Sequence, residues 1–194
     1  MCIICFTGSH STGKSTLVEF FRGKEGYVCL DSCTRTTISD RERRIDGVED
    51  LGLTQIRMLD QVTKRMADIV KMNAENPDKI FCMDRSVLDF IGYSRAFNKR
   101  GLLSDEYLKQ IEEKCDRLWE YIDVFFYLPI EFQIVNDNVR SLDEDLRQMV
   151  DKEILDQILW NKVRAVKLTG PVLVRVKKVQ EVVNEITRSN KSSD

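Results

Sequence analysis

The stretch Thr7-Gly8-Ser9-His10-Ser11-Thr12-Gly13-Lys14-Ser15-Thr16 restricts this chain more than any other. It matches G-x-x-x-x-G-K-[ST] at every fixed position, with the apolar run Cys2-Ile3-Ile4-Cys5-Phe6 before it and a helical pattern after it. Glycine at 8 and 13 permits backbone conformations that turn successive amide hydrogens toward one anion. A helix opening at Lys14 adds the partial positive charge of its N-terminus. Gly8, Ser9, His10, Ser11, Thr12, Gly13, Lys14, Ser15 and Thr16 are therefore expected to hold the phosphates of ATP, with GTP the less favoured donor. Lys14 would reach the outer phosphates and the Ser15 hydroxyl would bind Mg2+. Thr16 is expected to cap or pack, and His10 to pack near the nucleotide rather than act as a base.

A loop of this kind needs a strand behind it and a helix ahead, and the rest of the chain supplies more of both. Strands are expected at residues 2–6, 27–30, 79–83, 124–128 and 172–176, the last set off by Gly170-Pro171. Between them run helical patterns. Leu108, Ile111, Cys115, Leu118, Trp119 and Ile122 recur at steps of three and four, as do Leu146, Val150, Ile154 and Ile158. Short apolar strands alternating with helices predict an α/β chain, a three-layer P-loop NTPase fold with a five-stranded parallel sheet and helices on both faces. Ligands of such sheets bind beyond the carboxyl ends of the strands. One domain over residues 1–188 is expected, with a lid at about 136–148 and a flexible tail at 189–194.

The length of 194 residues, 42% of them hydrophobic and 32% charged, suits a single folded unit. No apolar run approaches the roughly 20 residues of a membrane span, and a cytoplasmic location is expected. A net charge of −2 gives no general pull toward nucleic acid. Cys2 and Cys5 have metal-site spacing, but three residues apart on a strand they face opposite sides, so structural, reduced thiols are expected. The basic C-terminal third, with Arg175 in it, is read as a solvated face.

The loop alone does not name an outcome. Switch GTPases carry D-x-x-G after the third strand, whereas Asp84 is followed by Arg85, Ser86 and Val87; N-K-x-D is also missing. A small kinase is what remains. Asp84, ending a strand at the catalytic edge, can hold the metal or accept a proton, and Arg85 can pin an acceptor. Asp84-Arg85-Ser86-Val87-Leu88-Asp89-Phe90-Ile91-Gly92-Tyr93 resembles the D-R-[YHS] segment of thymidylate and deoxynucleoside kinases. That resemblance implies that Tyr93 lines an acceptor pocket.

Nearly all of residues 1–188 resemble the small P-loop kinase-like ATPases that include the nicotinamide riboside kinase domain. In that group an acid and an arginine follow the second strand, matched here by Asp31 and Arg35 with altered spacing. A lid arginine follows the fourth strand, matched by Arg140 in Asp137-Asn138-Val139-Arg140, with Arg147 two turns on. The reading is an ATP-dependent, Mg2+-using phosphotransferase acting on a small-molecule nucleoside or nucleotide. Lys14, Asp84, Arg85, Arg140 and Asp31 would be catalytic; Arg35, Asp31, Tyr93 and Arg147 would bind the acceptor; Ser15 and Asp84 would hold the metal. Two rivals stand beside it: a kinase of hydroxymethyl bases in DNA, motivated by the basic residues 35–44 but less favoured, and a regulatory ATPase without a small-molecule acceptor.

Overall fold

The computed structural model describes residues 2–30, 51–76, 78–133 and 143–191. Its sheet is five-stranded and parallel at every pairing, in the order β2-β3-β1-β4-β5. The strands are β1 (Cys2–Thr7), β2 (Tyr27–Leu30), β3 (Ile80–Asp84), β4 (Val124–Tyr127) and β5 (Ala165–Lys167). β1 is buried along its whole length because it is central, paired with β3 on one side and β4 on the other. A strand covered on both faces has no polar side to present, hence its uninterrupted apolar sequence.

Alternation along β1 sorts two cores. Cys2, Ile4 and Phe6 pack with Leu17, Val18, Phe21, Val179 and Val183, beneath α1 (Lys14–Phe21) and α6 (Val172–Lys191). Ile3 and Cys5 face the larger cluster under α2 (Leu51–Glu75), α3 (Val87–Lys99), α4 (Asp105–Asp116) and α5 (Glu144–Trp160). Cys2 and Cys5 thus do point apart, and both are free thiols whose pKa burial raises, to about 12 for Cys2. α3 and α5 approach closely at Gly92, where an added Cβ would lie 2.7 Å from Ile154 Cγ1. No helix among the described residues is long and apolar enough to cross a membrane.

One strand lies elsewhere than the sequence suggests. The fifth strand is Ala165–Lys167, and Val172-Leu173-Val174, expected as strand, forms the first turn of α6. Leu173 and Val174 are exposed while Val176, Val179, Val183 and Ile186 are buried. Those steps of three and four are one helical stripe, and the apolar run Val172-Leu173-Val174 ahead of it is exposed. α4 likewise stops at Asp116, and Trp119–Tyr121 form a separate 3-10 turn.

Candidate functional site

The loop between β1 and α1 is held in shape by three residues at positive φ: Gly8 (145°), Ser11 (58°) and Gly13 (95°). At Gly8 a side chain is barred twice over, since a Cβ would fall 2.4 Å from the Leu128 carbonyl oxygen. Gly13 caps α1 without offering a side-chain acceptor, and the first turn carries no acidic residue. That helix end is therefore suited to an anion. Lys14, only 6% exposed, curls back so that Nζ donates to the carbonyls of Gly8 and Ser9, both at 2.6 Å. Thr12 closes the turn through Oγ1 to Ser9 O at 3.0 Å, and Thr16 is exposed on the far side of α1.

The β1–β3 register sets Phe6 beside Asp84, which brings the loop and the Asp84-Arg85-Ser86 turn to one edge. The Ser15 hydroxyl donates to Asp84 Oδ2 at 2.7 Å. A hydroxyl and a carboxylate sharing one point form an oxygen donor set that suits a hard cation such as Mg2+. Among the described residues no group of three or more His, Cys, Asp or Glu is gathered for a metal.

Arg85 takes a left-handed backbone (φ 81°), its N–H donating to Phe6 O at 3.0 Å. The guanidinium lies 5.2 Å from the centre of the Tyr93 ring. Burial works against the Arg85 charge, but Tyr93, Asp89 and Asp84 around it outweigh that and raise its pKa. Tyr93 also touches the phosphate loop: its hydroxyl accepts the His10 N–H at 3.1 Å and lies 3.0 Å from His10 Nδ1. Tyr93 and the phosphate loop are therefore joined.

Three contributors escaped the sequence reading. Asp89, 1% exposed, collects on Oδ2 the Thr7 hydroxyl (2.8 Å), the Ser86 N–H (2.8 Å) and the Ser86 hydroxyl (3.1 Å). Its Oδ1 lies 3.9 Å from Lys14 Nζ. The Ser86-x-x-Asp89 spacing of a capping box was the available signal. Arg175, expected on a solvated face, is 2% exposed and donates to Thr12 O at 2.9 Å, with Glu131 as its carboxylate partner. No sequence pattern announces that contact. Asp151 accepts from the Tyr127 hydroxyl at 2.9 Å, and burial raises its pKa.

Of the expected acceptor residues, Arg147 is fully buried on α5 and bonds the phosphate loop: Nε to His10 O (3.1 Å) and Nη2 to Ser11 O (3.3 Å). Asp31, Arg35 and Arg140, with the basic residues 35–44, lie outside the described residues, as does most of the expected lid.

Comparisons with known proteins agree with the fold. A family model described as "AAA domain" matches residues 3–175. No curated protein sequence matches the chain. A structure of deoxyadenosine kinase from M. mycoides with products dCMP and dCDP superposes with a TM-score of 0.67 at 15% identity, covering 94% of this chain and 99% of that one. NadR protein in complex with NR gives 0.66 at 20% identity, covering 95% of this chain and 51% of that one. Thymidylate kinase from Candida albicans gives 0.60 at 14% identity, covering 96% and 92%. At these identities the likeness establishes a shared fold.

Proposed function

The chain belongs to the AAA domain family, and from that premise we propose that it is an ATP-dependent phosphotransferase acting on a nucleoside or nucleotide. The observation that carries this reading is the Ser15–Asp84 contact at 2.7 Å, with buried Lys14 on the loop side and Arg85 on the other. Phosphoryl transfer needs little covalent help from a protein; it needs positioning and neutralised charge. Lys14 and the loop amides hold the donor phosphates. Ser15 and Asp84 are the residues that would hold Mg2+, which supplies charge neutralisation across the phosphates. Arg85, whose guanidinium stays charged, orients the acceptor beside Tyr93.

A carboxylate takes the acceptor's proton as the acceptor oxygen bonds to the γ-phosphorus and the bridge to ADP breaks; Asp84, at this edge, and Asp31, outside the described residues, are the two candidates. Arg140 is proposed to close over the γ-phosphate and keep water from competing as acceptor. The folds shared with deoxyadenosine kinase and thymidylate kinase support a nucleoside or nucleotide as acceptor.

The test is a screen of nucleosides, nucleoside monophosphates and nicotinamide riboside with Mg-ATP, using Lys14→Ala as the blank. A phosphorylated product is expected for one class, with the variant losing about 2.7–4 kcal/mol of transition-state stabilisation. ADP release that is the same with every acceptor, without a phosphorylated product, would refute the proposal.

A further inference from the structure

Two nearly solvent-free guanidinium groups lie behind the phosphate loop. Arg147, from α5, donates to the carbonyl oxygens of His10 (3.1 Å) and Ser11 (3.3 Å). Arg175, from α6, donates to the next one, Thr12 O, at 2.9 Å. Arg147 is 1% exposed and Arg175 2% exposed. Three successive carbonyls, reached from two different helices, are thus held by side chains that cannot lose their charge.

A peptide unit is planar, and in the trans form its C=O and N–H point in opposite directions. The carbonyls of His10, Ser11 and Thr12 belong to the same units as the N–H groups of Ser11, Thr12 and Gly13. Fixing the first set fixes the direction of the second, which are the amides of the G-x-x-x-x-G-K-S loop that a phosphate would meet. The guanidinium fork, with five donors in one plane, does this more rigidly than an ammonium or a water.

Both arginines are also tied to the segment that follows β4. Arg147 Nη2 donates to Phe132 O at 2.8 Å, and the Arg175 guanidinium pairs with Glu131 and lies 5.3 Å from the centre of the Phe132 ring. Arg175 is further anchored through Nε to Gly170 O at 2.8 Å. The phosphate loop and residues 131–132 therefore share two supports.

We infer that Arg175, together with Arg147, is a positioning residue that preorganises the phosphate loop from behind and couples it to the segment after β4. This inference rests on the reading of the loop as a nucleotide site, and assigns Arg147 to the loop's rear rather than to the acceptor. Arg175 acts through the amides and does not touch the substrate.

The test uses the full chain with Arg175→Met, which keeps the apolar stem but removes the donors, and with Arg175→Lys and Glu131→Gln as milder changes. Amide hydrogen exchange of the nucleotide-free protein and affinity for Mg-ATP are measured on each. For Arg175→Met, faster exchange confined to residues 8–16 and 131–132 is expected while α6 and β1 stay protected. Mg-ATP affinity should fall by roughly tenfold or more, the lower end of what a hydrogen bond from a charged group contributes. Glu131→Gln should show the same pattern more weakly.

Unchanged Mg-ATP affinity in Arg175→Met, beside a wild type that binds, would overturn this inference alone. So would exchange that rises equally across α6 and the sheet, because that is general loosening. If Arg175→Met does not fold, wild-type exchange and affinity in both Arg175→Lys and Glu131→Gln would overturn it instead. A wild type that binds no nucleotide would overturn the phosphotransferase reading and this inference with it.

Discussion

Replacing Asp89 by alanine removes the brace between the two halves of the site, and its cost can be worked from the contacts. Asp89 Oδ2 accepts from Ser86 N, Ser86 Oγ and Thr7 Oγ1 within 3.1 Å. The loss of the capping arrangement at the start of α3 costs about 0.5–2 kcal/mol. Each buried donor left without an acceptor adds about 1–3 kcal/mol. Lys14 Nζ lies 3.9 Å from Oδ1, a Coulomb attraction of roughly 4 kcal/mol at an effective dielectric of 20, before desolvation is subtracted. The Gly8 and Ser9 carbonyls, at 2.6 Å, fix where Lys14 sits, and Asp89 neutralises its charge.

Removing one partner of such a buried pair costs about 3–5 kcal/mol, and that is the expected loss for Asp89→Ala in urea unfolding followed by tryptophan fluorescence. Asp89→Asn keeps the shape and removes the charge. Its cost should drop by about 0.5–3 kcal/mol when Lys14 is already methionine. A loss below about 1 kcal/mol for Asp89→Ala, or no coupling in that cycle, would refute the argument. Lys14 would then be held by the phosphate loop rather than by Asp89.

Two further outcomes follow from neighbouring geometry. Gly8→Ala drives a Cβ to 2.4 Å from the Leu128 carbonyl and forces a side chain onto φ 145°, so a loss of about 3 kcal/mol is expected. Calorimetry should show the melt falling by about 6–12 °C; a shift under about 2 °C would contradict it. Asp143 caps α5 through Leu146 N, and the Arg100 guanidinium bonded to it holds its pKa down at about 2. A lowered carboxylate stabilises fully above its ordinary pKa of 3.8, and loses that contribution as pH falls through about 2. With the Asp143 side chain 37% exposed, solvent screening leaves mainly the cap, about 1 kcal/mol. Urea unfolding of Asp143→Ala should show that deficit at pH 7, shrinking between about pH 4 and pH 2; a deficit that does not change with pH would show that the Asp143 charge contributes nothing to it.

The sheet was legible because its central strand is covered on both faces, so Cys2-Ile3-Ile4-Cys5-Phe6 has nothing polar to confuse the pattern. The edge strand was not. Ala165-Val166-Lys167 owes its conformation to pairing with Phe125, Phe126 and Tyr127, information held forty residues away, while Val172-Leu173-Val174 carries the stronger local strand signal and is helical. The same limit applies to the site. Lys14, Ser15, Asp84 and Arg85 announce themselves through motif and strand end. Arg175 does not, because its partner is a backbone carbonyl, and every residue has one. Charge pattern alone places such an arginine on the surface.

Arg85 sits at φ 81°, a conformation that glycine adopts freely and arginine only under constraint, at a cost on the order of 1–3 kcal/mol. Anyone setting out to raise the melting temperature of this protein would be drawn to that position, since Arg85→Gly relaxes the backbone outright. The same change would take away the cation over Tyr93 and beside Asp84 and Asp89, so the backbone relief is set against lost charge pairing. A redesign that weighed only backbone strain at residue 85 would therefore erase the guanidinium proposed to hold an acceptor.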